Sequence, residues 1–294
     1  MLVDPLPVAW SFDAIGTVWR IDTAEPLTAA QQQVVTERIE RFDRDWSRFR
    51  GDSLVSRIAR EPGHHRLPDD AGPLLELYRE LYAASAGHVS PLVGRALESL
   101  GYDAAYRLTP ATTRAPVPAW NDAIAWDGEH LDTVTPVLLD VGAAGKGYLV
   151  DLVGDLLSGL GVAQHVVDAG GDLRTRNVPL RVALEHPADP TKAIGVVELG
   201  GTAVDEALCA SASNRRAWGE GLHHVLDAIT GEPTADVMAT WAIAPTALLA
   251  DGAATALFFD TDPRFFADHG ISTVRMFSSG RVEHSPTFSG ELFR

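Results

Sequence analysis

Cysteine and lysine are the scarcest reactive residues of this 294-residue chain. The single cysteine, Cys209, excludes an intramolecular disulfide. Its thiol has two interpretations, a buried inert side chain or a catalytic nucleophile, and the first is the commoner fate of a lone cysteine. Lysine occurs only at Lys146 and Lys192, since every other permanently charged basic residue is arginine. The position of a lysine in this chain therefore needs an explanation.

Long apolar runs are missing as well. No stretch approaches the ~20 consecutive apolar residues of a membrane-spanning helix. The first residues, MLVDPLPVAWSFDAIGT, lack the basic segment and apolar run of a secretory signal. We therefore expect a cytoplasmic protein that does not insert into a membrane.

Positive charge is in short supply. The formal net charge is −16 and the isoelectric point is near 4.9. Such an acidic surface argues against non-specific binding of nucleic acid or anionic lipid. It still permits a phosphate ligand, because backbone N–H groups and one or two cations can hold a phosphate locally. An anionic ligand on so acidic a protein would also favour a metal ion between the two.

The hydrophobic pattern predicts an α+β fold with mixed or antiparallel sheets and flanking helices. Hydrophobic residues make up 46% of the chain, enough for a substantial core. Apolar spacings of three and four residues predict helices, and alternating or short apolar runs predict strands. The predicted helices cover 28–46, 54–60, 70–86, 147–161 and the second half of 240–259. The predicted strands cover 10–22 (a pair turning at Gly16), 134–140, 164–173, 180–187, 195–204, part of 223–233, the first part of 240–259, and a hairpin at 273–281.

Lys146 lies between two glycines in the segment DVGAAGKGYLVD, residues 140–151. The segment is neither a phosphate-binding P-loop nor a dinucleotide fingerprint, because the spacing and the Ser/Thr of the first and the GxGxxG of the second are absent. It predicts a turn at the start of a helix, where backbone N–H groups and one cation face an anion. The alternative is a capping glycine beside a solvated lysine.

Three other segments combine glycine or helical spacing with polar side chains. In DAGGDL (168–173), paired glycines let a ligand approach the backbone beside Asp172; the alternative is an ordinary turn. In LLADGAATALFF (248–259), Asp251 and Thr255 share one helix face and suit a hard cation such as magnesium; alternatively, Asp251 only caps a helix. In HHVLDAITGEP (223–233), His224 is either an acid, base or hydrogen-bond donor near phosphate, or a structural residue.

The order of these segments resembles that of the FAD:protein FMN transferases, the ApbE-type flavin transferases. The resemblance spans residues ~15 to 260. The matching segments are Ile15-Gly16-Thr17, the loop SRFRGDS with Ser53, GHVSPLVG (87–94), DVGAAGKGY (140–148), Gly170-Gly171-Asp172, CASASNRRAW (209–218), HVLDAITG (224–231) and ADGAAT (250–255).

The resemblance implies one domain over residues 1–294, related to T-fold architecture, with FAD in a cleft between two lobes. It implies cleavage of the FAD pyrophosphate, transfer of FMN to a threonine or serine of an acceptor flavoprotein, and release of AMP. The implied cofactor is Mg²⁺, with Mn²⁺ as the alternative. The implied metal ligands are Asp251, Thr255 and the carbonyl of Gly145. The implied catalytic residues are Lys146, His224 and Asp251. The implied FAD-binding residues are Ile15, Gly16, Thr17, Ser53, Lys146, Gly170, Gly171, Asp172, His224 and Thr230.

The chain departs from the family pattern at several positions. Ser90 and Leu92 replace an aspartate and a threonine, which removes any FAD contact through those side chains. The other replacements are Ile15 for methionine, Ala143 for glycine, Gly145 for alanine, Ala212 for glycine and Ala228 for proline. The metal pair and Lys146 are intact, so we expect an active transferase. The alternatives are an FAD pyrophosphatase, which forms FMN and AMP, and a non-catalytic FAD-binding protein.

Overall fold

The computed structural model describes residues 6–200 and 205–293. The helices of this part are α1 Ala29–Trp46, α2 Leu54–Arg60, α3 Gly72–Ala84, α4 Gly94–Ser99, α5 Trp120–Ala123, α6 Gly145–Gly159, α7 Ala247–Ala256 and α8 Pro263–Asp268, with a 3₁₀ turn at Pro91–Val93. The strands are β1 Val8–Ala14, β2 Thr17–Thr23, β3 His64–Arg66, β4 Ile124–Trp126, β5 His130–Thr133, β6 His165–Asp168, β7 Asp172–Arg176, β8 Leu180–His186, β9 Asp189–Leu199, β10 Glu206–Ala212, β11 Ala217–Trp218, β12 Leu222–His223, β13 Val237–Ala244, β14 Ser272–Phe277, β15 Val282–His284 and β16 Glu291–Leu292.

An eight-stranded sheet in the order β1-β2-β6-β7-β10-β13-β14-β15 forms the centre of the fold, and all of its pairings are antiparallel. Smaller antiparallel sheets are formed by β16-β9-β8, by β3-β5-β4 and by β11-β12. The predicted α+β class with antiparallel sheets and flanking helices is therefore confirmed.

The central sheet buries both of its faces, as the alternation along its strands shows. In β6, Val166 packs into one hydrophobic cluster while Val167 packs into the other. In β10, Leu208 and Cys209 divide in the same way. Helices α6 and α7 cover one face, and the β8–β9 hairpin covers the other. Because side chains of a strand alternate between faces, this pattern fixes the register of the sheet.

Side-chain caps define where the helices begin. Thr28 and Gln31 form a reciprocal capping box at the start of α1. Thr246 accepts the N–H of Leu249 at the start of α7. The carboxylate of Asp151, on α6, also accepts the N–H groups of Ala247 and Leu248, at 2.9 and 2.8 Å. These last bonds tie the beginning of α7 to the side of α6.

The predicted strand at 134–140 is wrong. The segment is extended, and Val137, Leu138 and Leu139 are all buried in succession. Pro136 has no N–H to give to a ladder, and Asp140 bonds the carbonyl of Pro91 rather than a neighbouring strand. Continuous apolar residues therefore reflect burial of a connecting segment in the core.

Other boundaries shift. In 223–233 the strand β12 ends at His223, and the rest is a turn closed by a single bridge between Leu226 and Pro233. The strand predicted at 195–204 is observed as the end of β9, while residues 201–204 lie outside the described residues. Within 6–200 and 205–293, no helix combines the length and apolarity that crossing a bilayer requires.

Candidate active site

A cleft of about 800 Å³ lies over one end of the central sheet and brings most of the predicted site residues together. The predicted residues that line it are Ile15, Gly16, Thr17, Gly145, Lys146, Gly170, Gly171, Asp172, His224, Asp251 and Thr255. They come from five separate segments of the chain. The cleft has two distinct regions. The cation end consists of Ala143, Lys146, Asp172, Asp251 and Thr255, and the aromatic end consists of Arg48, Phe49, Tyr102, Tyr106 and Trp218.

The glycine after Lys146 allows α6 and α7 to touch. A Cβ on Gly147 would lie 2.1 Å from the carbonyl oxygen of Ala247, which is closer than any real contact. The same approach lets the N–H of Gly147 donate to Oδ2 of Asp251 at 2.9 Å. Gly147 lies in the first turn of α6, where the N–H groups have no partner within the helix. Asp251 therefore satisfies a donor of this turn, and the carbonyl of Ala143, which precedes the helix, is not used by the hydrogen bonds of α6.

The carbonyl of Ala143 faces Thr255. The hydroxyl of Thr255 donates to the oxygen of Ala143 at 3.3 Å, and Asp251 lies one helical turn before Thr255 on α7. The family resemblance implied the carbonyl of Gly145 instead. Gly145 is the first residue of α6, so its carbonyl points along the helix towards the N–H of residue 149. The geometry thus favours Ala143 over Gly145 as the third oxygen beside Asp251 and Thr255.

The turn that presents Ala143 is held from behind by two side chains. Oη of Tyr78, on α3, accepts the N–H of Ala143 at 3.1 Å. Oδ1 of Asp140 accepts the N–H of Gly142 at 2.7 Å. Burial, with the carboxylates of Asp140 and Asp251 adding to it, raises the pKa of Tyr78 well above its ordinary value. The phenol is therefore neutral and acts as a fixed support of the turn.

Lys146 lies between two buried carboxylates. Its Nζ is 2.6 Å from Oδ2 of Asp172 and donates to the carbonyl of Ala169 at 3.0 Å. The contact with Asp172 is an ion pair without hydrogen-bond alignment, and neither oxygen of that 1%-exposed residue accepts a hydrogen bond from the described residues. Burial by itself disfavours charged lysine, but Asp172 and Asp251 outweigh it and raise the pKa of Lys146. The amine is therefore charged at neutral pH.

The same cluster destabilises the ionised form of Asp251. Burial raises its pKa well above the ordinary value, and the charge of Asp172 raises it further, against the opposing effects of Lys146 and the Gly147 N–H. With both carboxylates ionised, the cluster of Asp172, Asp251 and Lys146 has one more negative than positive charge. A cation beside Asp251 would compensate that charge and favour the ionised carboxylate.

The glycine pair and the first hairpin meet at the floor of the cleft. Gly170 and Gly171 have φ angles of +72° and +110°, and their N–H groups both donate to Oδ1 of Asp168. A Cβ on Gly170 would lie 2.2 Å from Oγ1 of Thr17. A Cβ on Gly171 would have no described residue of another part of the chain within 4 Å. The first glycine is therefore needed for packing against the β1–β2 turn, and the second leaves the backbone accessible.

His224 lines the cleft as a neutral ring. Burial, together with the positive charge of Arg216 and a contribution from His223, lowers its pKa to about 4 against a smaller opposing effect of Asp140. Its Nδ1 is buried without a hydrogen-bond partner in the described residues. A neutral imidazole offers one donor and one acceptor, so the ring can bond a ligand without adding charge.

Two predicted residues are not brought to the cleft. Ser53 is buried, caps α2 through the N–H of Ser56 and donates to the carbonyl of Arg50. Thr230 is exposed on the 227–231 turn, where its hydroxyl accepts the N–H of Glu232. Neither belongs to the residues that line the cleft. Their hydroxyl groups stabilise local turns.

The aromatic end was missed by the sequence reasoning. The rings of Phe49 and Tyr106 stack with centroids 5.3 Å apart, and those of Tyr102 and Trp218 stack at 5.3 Å. Arg48 lies over Phe49 and Tyr102 and pairs with Asp140. The SRFRGDS loop carried the only available signal, an arginine and an aromatic residue next to each other. Tyr102 and Tyr106 lie on a loop whose sequence shows no periodicity.

Comparison with known proteins identifies the family of the chain. The ApbE family matches residues 15–267. The FAD:protein FMN transferase of Rhodobacter capsulatus is 27% identical over 317 residues, covering 99% of this chain and 60% of that protein. The enzyme of the same name from Salmonella typhimurium strain LT2 is 28% identical over 276 residues, covering 83% of this chain and 75% of that protein. The chain thus spans only 60% of the length of the Rhodobacter relative.

Solved structures share the fold. The crystal structure of the ApbE protein from Thermotoga maritima superposes with a TM-score of 0.83 at 23% identity, over 95% of this chain and 97% of that one. The flavin transferase ApbE from Vibrio cholerae gives a TM-score of 0.78 at 21% identity, over 96% and 97%. The family match covers most of the chain, and the resemblance in the order of the motifs is confirmed: the chain belongs to the ApbE family.

Proposed function

We propose that this chain is an FAD:protein FMN transferase that works with a bound divalent cation, Mg²⁺ or Mn²⁺. It would cleave the pyrophosphate of FAD and join FMN to a threonine or serine of an acceptor flavoprotein. The oxygen of the acceptor hydroxyl bonds to the phosphorus on the FMN side, the bond from that phosphorus to the bridging oxygen breaks, AMP leaves with that oxygen, and the hydroxyl proton is released. The observation that carries the proposal is the cation end, where oxygen donors and a charged lysine converge in one cleft.

The residues of the cation end fit a hard divalent ion. The carboxylate of Asp251, the hydroxyl of Thr255 and the carbonyl of Ala143 are oxygen donors, the kind that Mg²⁺ prefers. No group of three or more His, Cys, Asp or Glu side chains in the described residues could hold a metal, so a site of the zinc type is absent there. The unbalanced negative charge around Asp172 and Asp251 favours a cation.

Each remaining residue has a role that its surroundings support. When bound, the cation would supply positive charge to the phosphate oxygens. Lys146, charged and anchored on Asp172, adds a second positive charge where negative charge develops, which is most of what phosphoryl transfer requires of a protein. Gly171 leaves open backbone for a ligand to approach. His224 offers a neutral hydrogen-bond partner.

The direct test is incubation of the purified chain with FAD, Mg²⁺ and an acceptor flavoprotein that carries a D-x-x-T-type motif. We expect AMP release and an increase in the acceptor mass equal to one FMN phosphoester. EDTA and the substitution Asp251→Ala should both abolish these products. The matched control is Asp260→Ala, which removes an exposed carboxylate shortly after α7.

Three outcomes would contradict the proposal. Free FMN that accumulates at the same rate with and without the acceptor would identify an FAD pyrophosphatase. Tight FAD binding without AMP would identify a non-catalytic FAD-binding protein. Unchanged AMP release by the Asp251→Ala variant would show that the assigned metal residues are wrong.

A further inference from the structure

Arg48 is a buried arginine with a free donor in the wall of the cleft. It lies in the loop between α1 and α2 and is 4% exposed. Its guanidinium lies over the ring of Phe49 at 4.2 Å and over the ring of Tyr102 at 4.8 Å. Two aromatic contacts hold the planar group in one orientation.

Two of its three nitrogens are already used. Nε donates to Oδ2 of Asp140 at 2.5 Å, and Nη1 donates to the carbonyl of Tyr102 at 2.7 Å. Nη2 is buried and has no hydrogen-bond partner in the described residues. Buried donors are nearly always satisfied in folded proteins, because leaving one unpaired is costly. An unpaired donor in the wall of a cleft therefore indicates an acceptor on a ligand.

The acceptor that fits is neutral. Burial alone would raise the pKa of Asp140, but Arg48 and the N–H of Gly142 outweigh burial and hold that pKa below its usual range. The charge of Arg48 is thus balanced by an ionised carboxylate 2.5 Å away. A phosphate placed at Nη2 would be repelled by Asp140. A carbonyl oxygen would not.

FAD presents carbonyl oxygens only on its isoalloxazine ring. Adenine has no carbonyl and accepts hydrogen bonds only at ring nitrogens, and its amino group is a donor that a guanidinium, itself only a donor, cannot pair with. The rings of Phe49 and Tyr102 already stack on other rings within the protein, whereas the ring of Tyr106 is 54% exposed and suits contact with a planar ring. Lys146 and the oxygen donors of the cation end belong to a separate charge cluster, around Asp172 and Asp251.

We propose that Arg48 determines specificity for the flavin half of FAD, by donating a hydrogen bond from Nη2 to a ring carbonyl of the isoalloxazine. The flavin then lies at the aromatic end and the pyrophosphate at the cation end. This inference rests on the proposed function, because it takes FAD as the ligand of the cleft.

The test compares Arg48→Lys with the unaltered protein in EDTA, where FAD is not turned over, by calorimetric titration with FMN and with ADP. Lysine retains a positive charge opposite Asp140 but has no Nη2. We expect FMN to bind about tenfold more weakly to the variant, the loss of one charge-assisted hydrogen bond, and ADP to bind equally to both proteins. The matched control is Arg38→Lys, which alters a half-buried pair with Asp70 away from the cleft and should leave both affinities unchanged.

A second measurement needs no variant. The infrared carbonyl stretches of ¹³C-labelled FMN should move to lower frequency on binding to the unaltered protein, because a hydrogen bond weakens the C=O bond. Unshifted carbonyl bands would overturn the inference even if Arg48→Lys does not fold. The inference would also be overturned if Arg48→Lys lost affinity for FMN and for ADP equally. The same holds if Arg38→Lys lost as much affinity for FMN as Arg48→Lys does. If the unaltered protein binds no FAD, the proposed function itself fails; if it binds FAD and Arg48→Lys binds FMN equally well, only the role of Arg48 fails.

Discussion

The two ends of the cleft are built in different ways. The cation end is formed by the first turn of α6, by α7 and by the start of β7, which pack directly on one another. The aromatic end is formed mainly by the loop after α1 and by the loop after α4, with Trp218 contributed by β11. In that second loop Tyr106 and Leu108 adopt φ angles of +49° and +51°, which non-glycine residues seldom do. The geometry of the cation end is therefore set by regular packing and that of the aromatic end by irregular backbone.

The difference separates chemistry from recognition. Groups that hold charge must keep their distances to within a few tenths of an ångström, and packed helices provide that precision. A wall that accepts a planar ring needs area and a single directional bond. Tyr106, 54% exposed, is consistent with such a wall. Substitutions at the cation end should consequently be the more damaging.

The largest effect is expected at Lys146. Replacing it by methionine removes the charge between Asp172 and Asp251 and the charge available to the phosphates, so AMP release should fall at least about 100-fold. The only other lysine provides the control. Lys192 is 71% exposed and pairs with Asp189 on the β8–β9 hairpin, so Lys192→Met should keep the parent rate. Similar rates for the two variants would remove Lys146 from the proposed chemistry.

The next effect concerns the packing that creates the cation end. Gly147→Ala would force α6 away from α7, because the new Cβ meets the backbone carbonyl of Ala247. We expect the free energy of unfolding to fall by about 2 kcal/mol, measured by urea denaturation. Gly159→Ala makes the same substitution in the same helix, at a position where the new Cβ has no other described part of the chain within 4 Å. It should leave the free energy of unfolding unchanged or raise it slightly. Equal losses in the two variants would show that the contact between the helices is unimportant.

His224, which lines the cleft outside the two defined ends, makes stability depend on pH. Its folded pKa of about 4 lies below its ordinary value of 6.5, so protons bind preferentially to the unfolded chain. The contribution to stability is complete above pH 6.5 and is lost as the pH falls towards 4. When the pH is lowered from 7 to 5, the free energy of unfolding of the parent protein should fall by roughly 1.5 kcal/mol more than that of the His224→Gln variant.

This difference is measured by urea denaturation at the two pH values. The control is His284→Gln, which alters an exposed histidine and should follow the parent protein. A parent protein and a His224→Gln variant with the same pH dependence would show that His224 takes up its proton as readily in the folded state as in the unfolded one.

The sequence predicted the cation end better than the aromatic end for a physical reason. Lys146 lies in a short glycine segment, and Asp251 and Thr255 lie one helical turn apart, so local spacing is informative. The preference for Ala143 over Gly145 required the contact between Thr255 and the carbonyl of Ala143, two residues separated by 112 positions. Local patterns contain no information about such a contact.

The aromatic end depends almost wholly on distant contacts. Arg48 and Tyr102 are 54 positions apart, and the loop that carries Tyr102 has neither period nor turn signature. Most helices and most strands of the central sheet were found because their burial is periodic, but β10, in the middle of that sheet, was not predicted. The segment 134–140 was misassigned because buried connections and buried strands share the same apolar runs. Ser53 was assigned to the FAD site by the resemblance alone, whereas the structure shows its side chain capping α2 and not lining the cleft.

The smallest predicted effect tests whether the hydrogen bond from the Ala143 N–H to Tyr78 helps to position the cation end. Tyr78→Phe removes the acceptor for the Ala143 N–H and should loosen the turn that presents the Ala143 carbonyl. We expect about 1 kcal/mol weaker binding of Mn²⁺, about fivefold in Kd, measured by electron paramagnetic resonance. Tyr82, also on α3, accepts the N–H of Trp120 away from the cleft, so Tyr82→Phe should leave Mn²⁺ affinity unchanged at a comparable cost in stability. An unchanged Kd for Tyr78→Phe would mean that the packing of α6 on α7 alone positions the Ala143 carbonyl. The rigidity of the cation end would then come from those two helices.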